Sequence, residues 1–122
     1  MARVLIVDDT DIVRKALELA LRKMGHQAES TSDACDALER ALAHPPELAL
    51  LDYRMPGMDG VTLYGAMRKA LGERCPKVVF VSATSAEEVK ARSPADLCAH
   101  GYVRKPFHLD ELWKTVGAVL GS

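Results

Sequence analysis

The sequence predicts an α/β protein built on a doubly wound, five-stranded parallel sheet with five helices, a three-layer sandwich. Three observations predict it. Short aliphatic runs alternate along the chain with segments of helical periodicity. The strongest runs, "RVLIV", "LALL" and "VVFV", are apolar on both faces, as strands buried in a parallel sheet require. Each of these runs then stops at a polar or acidic residue. Right-handed crossovers between such strands lay helices on both sides of the sheet. The 122 residues suit one domain with one core, spanning 1–122.

The elements follow in order. "RVLIV" (3–7) is the first strand. "DIVRKALELALRKMG" carries Val13, Leu17, Ala20, Leu21 and Met24 at helical spacing, and Gly25 ends it. "HQAES" is a weak strand suited to an edge. In "SDACDALERALAH", Ser32 is the expected cap, Ala34, Leu38, Ala41 and Leu42 form the stripe, and Pro45-Pro46 ends the helix. "ELALLD" is the third strand. Asp59 is the expected cap of "GVTLYGAMRKALG", whose Leu63, Met67 and Leu71 face inward. "KVVFVSA" is the fourth strand. Ser85 starts a helix that Pro94 breaks or kinks. "GYVRKP" is a short fifth strand. "LDELWKTVGAVLG" closes the chain with Leu109, Leu112, Val116 and Leu120 on one face.

The composition excludes several classes. Sixteen basic against seventeen acidic residues give a formal charge of −1, so no basic excess supports a nucleic-acid or anionic-membrane surface. "MARVLIVDD" is too short an apolar run for a signal peptide or a membrane span, which leaves the cytoplasm as the expected location. Cys35, Cys75 and Cys98 are widely spaced and lack a CxxC pattern. They are read as buried or half-buried apolar residues, not as a disulfide framework or zinc site. His26, His44, His100 and His108 are scattered and read as surface residues. Met55, Met58, Met67 and Leu63 are read as packing. No P-loop pattern is present.

The polar ends of the strands carry the chemistry. Asp8-Asp9 ends the first strand, Asp52 the third, Ser82 the fourth and Lys105-Pro106 the fifth. Parallel topology puts all four ends on one rim, where ligands of such sheets bind. Three crowded carboxylates repel one another unless a cation joins them, and hard oxygen ligands in small number suit Mg²⁺. Lys105 can hold an oxyanion and Ser82 can donate to one. Acids, metal, hydroxyl and lysine together describe a phosphoryl-transfer site with an aspartate nucleophile. Taken singly, the residues have plainer readings. Asp8 and Asp9 can cap the first helix, Asp52 can form an Asx turn, Lys105 can be a solvated lysine, and Tyr102 can be core edge. Jointly those readings need four coincidences at one rim.

"LIVDD", "LLDYRMPGMDG", "VSA" and "YVRKPF" resemble, in order and approximate spacing, the signature of two-component response-regulator receiver domains. The resemblance spans essentially the whole chain. It implies the chemotaxis-regulator-like, flavodoxin-like fold with strand order 2-1-3-4-5. It implies Asp52 as phosphoacceptor, with Asp9, Asp52 and the backbone carbonyl of Arg54 binding Mg²⁺ and Asp8 holding the metal through water. Lys105 would contact the phosphoryl group, Ser82 would bond one of its oxygens, and Tyr102 would be the switch aromatic. A cis bond is expected at Lys105–Pro106. Pro56-Gly57 and Gly60 would shape the loop after the phosphoacceptor.

The implied function is a phosphorylation-switched signalling module. It would receive its phosphoryl group from a sensor histidine kinase or a histidine phosphotransfer protein, and act on an output protein or effector domain through its changed face. It would not be an enzyme beyond phosphotransfer to its own Asp52 and slow self-dephosphorylation. Monomer and phosphorylation-dependent dimer both fit, as do a stand-alone regulator and a piece of a larger one. A degenerate receiver serving as a constitutive interaction module is the alternative. An aspartyl phosphatase fits poorly, because the second acid such enzymes use two residues after the nucleophile is Arg54 here.

Two departures from the family pattern stand out. Tyr53, Arg54 and Thr84 hold positions that flank the phosphoryl group in this family and are expected to set its lifetime. Pro94, Cys98 and Gly101 replace the smoother fourth helix and the Gly-Ala pair expected before the switch aromatic, which implies a shortened or mobile fourth helix.

Overall fold

The structure, a computed structural model, describes residues 1–121. The elements are β1 (Arg3–Val7), α1 (Asp11–Lys23), β2 (Gln27–Thr31), α2 (Ala34–Ala43), β3 (Leu48–Leu51), α3 (Gly60–Leu71), β4 (Lys77–Ser82), α4 (Ala86–Arg92), β5 (Gly101–Arg104) and α5 (Leu109–Leu120). The sheet is parallel throughout, in the order β2-β1-β3-β4-β5. Winding reverses between β1 and β3, so the crevice lies beyond the carboxyl ends of these two strands.

Strand alternation divides the core in two. Val4, Ile6, Leu48, Leu50, Val79 and Val81 pack against Leu17, Leu21, Leu112 and Val116 of α1 and α5. Leu5, Val7, Leu51, Val78 and Phe80 pack on the other side with Leu63, Tyr64 and Met67 of α3 and Val89 of α4. Each fully buried leucine of these layers contributes about 1.5–3 kcal/mol relative to exposure. Both faces of the central strands are therefore consumed by packing, and only their ends remain for chemistry.

Several local expectations are corrected. Ser32 does not cap α2; Asp33 does, accepting from the Cys35 amide at 2.8 Å, because it sits one residue nearer the first helical turn. Leu42 is exposed, and α2 buries the alanines Ala34, Ala37 and Ala41, which allow close approach to the sheet. Leu109 is also exposed, since it opens α5 beyond the edge of the core. Cys35 and Cys98 are exposed and Cys75 is half-buried; all three are free. Neither Asp8 nor Asp9 caps α1, whose N-cap is Thr10. Asp59 and Ser85 cap α3 and α4 as expected, through Thr62 N at 2.8 Å and Glu88 N at 3.2 Å.

Two histidines do more than occupy surface. His26 Nδ1 accepts from Ala2 N at 3.0 Å, and His100 Nδ1 accepts from Val78 N at 3.2 Å. Each closes the start of a neighbouring strand. Burial, then the nearby Lys77 and Arg68 charges, holds His100 below the usual histidine range. With a folded pKa below the unfolded one, the His100 contribution is complete above an ordinary histidine pKa of about 6.5 and is lost as pH falls through the folded value. A melting series from neutral to mildly acidic pH is expected to fall less steeply for His100→Gln than for wild type.

The fourth helix is short, as Pro94 implies. It covers seven residues and ends at Arg92. The stretch that follows is anchored: Leu97 is buried in the core, and the Tyr64 hydroxyl donates to the Cys98 carbonyl at 3.0 Å. Among the described residues no helix is long and apolar enough to cross a membrane.

Candidate functional site

The site is built by running the sheet ladder one step past each strand. Asp8 N donates to Thr31 O at 3.2 Å, Asp52 N to Val7 O at 2.9 Å, and Lys105 N to Ser82 O at 2.9 Å. These bonds hold the backbones of Asp8, Asp52 and Lys105 at one level of the rim. Their side chains then meet across nearly the whole length of the chain. Lys105 Nζ donates to Asp8 Oδ2 at 2.6 Å and to Asp52 Oδ2 at 3.0 Å. Asp8 and Asp52 are buried, Lys105 is half-buried and Asp9 is exposed. One carboxylate oxygen from each of Asp8, Asp9 and Asp52 lies within 4.8 Å of the others.

The electrostatics are those of charges taken out of water in mutual contact. Burial pushes the Asp8 carboxyl up, against its bonds from Lys105 and the Thr10 amide, the latter at 2.9 Å. Burial alone would push the Lys105 ammonium down. Its bonds to Asp8 and Asp52 outweigh that, and the net direction is up. A lysine so placed stays charged at every physiological pH. It balances one of three negative charges and leaves an all-oxygen cluster in excess of negative charge, the donor set of a hard divalent cation. The residues present fit Mg²⁺.

The fourth strand supplies the neighbouring wall. Ser82 is buried at its end, and its Oγ accepts from Thr84 N at 3.2 Å. A cleft of about 320 Å³ opens between Asp52, Arg54, Ser82, Thr84, Glu88 and Lys105. A smaller cavity of about 140 Å³ runs from Ser82 and Thr84 past Val89 to Tyr102. Tyr102 is half-buried, stacked on Phe80 with centroids 6.0 Å apart, and has Lys90 Nζ 5.1 Å from its ring centre. Continuous side chains and space thus join Ser82 to the aromatic on β5.

Most of the predicted site residues converge. The Lys105–Pro106 peptide bond is cis, as the resemblance implies. Tyr53 is largely buried in the core with α2 and α3, and it also lines a cleft with Asp9, Arg54 and Asp59; the chain turns back there, and Gly60 N donates to Tyr53 O at 2.8 Å. Arg54 is exposed at the rim and lies 3.6 Å from Glu88. Two contributors were not foreseen. Arg14 Nη1 donates to the Asp8 carbonyl at 2.8 Å, and Arg104 Nε to the Ala83 carbonyl at 2.7 Å. Arg14 lies one turn into α1 and six residues past Asp8, a spacing that only the observed entry angle of the helix turns into contact.

The loop after Asp52 depends on one glycine. A Cβ on Gly60 would lie 2.4 Å from the Asp52 carbonyl oxygen and 2.9 Å from Phe80 Cε1. Backbone cannot yield there as a flexible side chain can. Gly60→Ala is therefore expected to cost about 1–3 kcal/mol and to displace Asp52, read as a lower melting temperature together with weaker Mg²⁺ binding.

The profile of the family described as "Response regulator receiver domain" matches residues 4–117. The chain belongs to the response-regulator receiver domain family. Among curated relatives, it is 36% identical over 112 residues to the transcriptional regulatory protein KdpE of Mycobacterium tuberculosis, covering 91% of this chain and 47% of that one. It is 31% identical to the virulence transcriptional regulatory protein PhoP of Salmonella choleraesuis, covering 98% of this chain and 52% of that one. The receiver domain here thus spans about half the length of these curated relatives. Among solved structures, the chemotaxis protein CheY4 of Vibrio cholerae superposes with a TM-score of 0.88 at 28% identity, over 98% of this chain and 99% of that one. The response regulator TrrA of Thermotoga maritima, solved in complex with Mg²⁺-BeF, superposes at 0.86 with 29% identity, over 98% and 100%.

Proposed function

We propose that this receiver domain takes a phosphoryl group onto Asp52 in a Mg²⁺-dependent reaction and changes its β4–α4–β5 face in response. The observation that carries the reading is the convergence of Asp8, Asp9 and Asp52 within 4.8 Å, with Lys105 joining two of them. The donor is a phosphohistidine on a sensor kinase or phosphotransfer protein. A carboxylate oxygen of Asp52 attacks phosphorus, the P–N bond to the imidazole breaks, and an acyl phosphate forms. Mg²⁺, when bound, supplies charge neutralisation and alignment for the transferring group. Asp9, Asp52 and the Arg54 carbonyl would hold it directly, and Asp8 through water. Lys105 holds a phosphoryl oxygen beside the reacting carboxylate. Ser82 Oγ leaves the Thr84 amide to donate to another, and Tyr102 follows through the adjoining cavity.

The domain acts on its own Asp52 and does not turn over a separate substrate, apart from slow hydrolysis of the acyl phosphate. We place it in the cytoplasm, coupled to an output protein or domain, as a monomer or as a dimer formed on phosphorylation. Intact-mass spectrometry after incubation with acetyl phosphate tests the reading. One phosphoryl adduct is expected with Mg²⁺ and none with EDTA. No adduct, under conditions that label another receiver, would make the domain a constitutive interaction module.

Arg54 and Thr84 line the cleft beside Asp52, where they restrict the approach of water to the acyl phosphate. Replacing either by Ala is expected to shorten the phosphoryl lifetime several-fold, followed as decay of the adduct. An unchanged lifetime in both would end that assignment.

A further inference from the structure

Resting on the phosphoacceptor reading, we infer that Arg104 is a positioning residue that draws and orients the anionic phosphoryl donor. Three cationic side chains line the cleft beside Asp52: Arg54, Arg104 and Lys105. Two are already engaged. Lys105 bridges Asp8 and Asp52, and Arg54 faces Glu88 at 3.6 Å. Arg104 makes no ion pair among the described residues.

Arg104 is nevertheless held in place. It stands beside Ser82 in the β4–β5 register, and its Nε bond to the Ala83 carbonyl fixes the guanidinium against the loop that follows Ser82. That bond uses one of the five guanidinium donors and leaves the Nη groups for a ligand. A planar fork of this kind suits phosphoryl oxygens.

Charge accounting shows why a further cation matters. The three carboxylates of the rim are balanced by Lys105 and one divalent ion. An incoming phosphoryl group with two negative charges then meets a centre without net attraction. Arg104 supplies that attraction from the side of Ser82.

The test compares wild type, Arg104→Gln and Arg104→Lys in labelling by acetyl phosphate and by phosphoramidate, with saturating Mg²⁺ and a series of ionic strengths. Acetyl phosphate is the more negative donor at neutral pH. Arg104→Gln is expected to lower its second-order labelling constant about five-fold at low salt and to flatten the salt dependence, with a smaller effect on phosphoramidate. Arg104→Lys is expected to recover part of the loss. An unchanged constant in Arg104→Gln overturns the inference. So does an equal loss for both donors at every salt concentration, which would assign Arg104 to holding the loop alone. Absence of label on wild type overturns the phosphoacceptor reading and this inference with it, whereas the first two outcomes overturn this inference only.

Discussion

Asp52→Asn is expected to gain no phosphoryl adduct from acetyl phosphate and Mg²⁺ while folding like the wild type. The carboxamide keeps the shape of the side chain and an oxygen that can accept from Lys105 Nζ, which lies 3.0 Å from Asp52 Oδ2 in the native protein. What it lacks is the anionic oxygen that attacks phosphorus in the proposed reaction. The backbone bond from residue 52 to Val7 O does not involve the side chain and persists. Stability should therefore change by no more than about 1 kcal/mol, since a charged hydrogen bond is exchanged for a neutral one and a crowded negative charge is removed. Mg²⁺ affinity should fall, because one ligand of the oxygen cluster is neutralised. Thermal melting, a Mg²⁺ titration and intact mass on the same sample separate these effects. An adduct of equal yield on the Asn variant would place the acceptor elsewhere.

Lys105→Met is expected to lose both stability and labelling, with Mg²⁺ restoring only the first. Removing the ammonium leaves Asp8, which is buried, and Asp52 facing each other without their shared cation. Truncating one partner of a charged pair exposes the other to the full cost of its burial, here about 2–3 kcal/mol in the metal-free protein. Burial already raises the Asp8 pKa, and loss of the lysine raises it further, so that Asp8 takes up a proton at a higher pH. Mg²⁺ should restore much of the loss, because a divalent ion at about a hundred times its dissociation constant contributes about 2.7 kcal/mol. The variant should also bind Mg²⁺ more tightly than wild type, having no competing cation. Its labelling rate should nevertheless fall by about a hundredfold or more, because the group proposed to hold the phosphoryl oxygen is gone. Weaker Mg²⁺ binding in Lys105→Met would contradict the competition between lysine and metal.

Much of the fold was legible because its signals are local. The runs at 4–7, 48–51 and 78–81 are apolar on both faces, as strands covered on both sides require. Asp59, Ser85, Gly25 and Pro94 act on the backbone beside them, so their effects were readable from neighbours alone. The errors fell where packing decides. Ser32 and Asp33 are both good caps, and the path of the chain into α2 selects Asp33. Leu42 and Leu109 satisfy a helical stripe, yet the stripe that is buried depends on how each helix rolls onto the sheet. Tyr53 follows Asp52 in sequence, but the loop folds most of its side chain into the core.

The sequence by itself determined which residue types stand at the strand ends, and with them the chemistry open to the protein: three carboxylates, a hydroxyl and a lysine. Residues 8, 9, 52, 82 and 105 supply those groups whatever the register. Tertiary structure alone decided that Lys105 Nζ lies within hydrogen-bond distance of both Asp8 and Asp52, that Arg14 buttresses the Asp8 carbonyl, and that Arg104 bonds the Ala83 carbonyl. Residue type follows from one position at a time. Distances of about 3 Å between side chains 53 and 97 residues apart depend on the register of every strand between them, and on helix packing that places each strand end at one level.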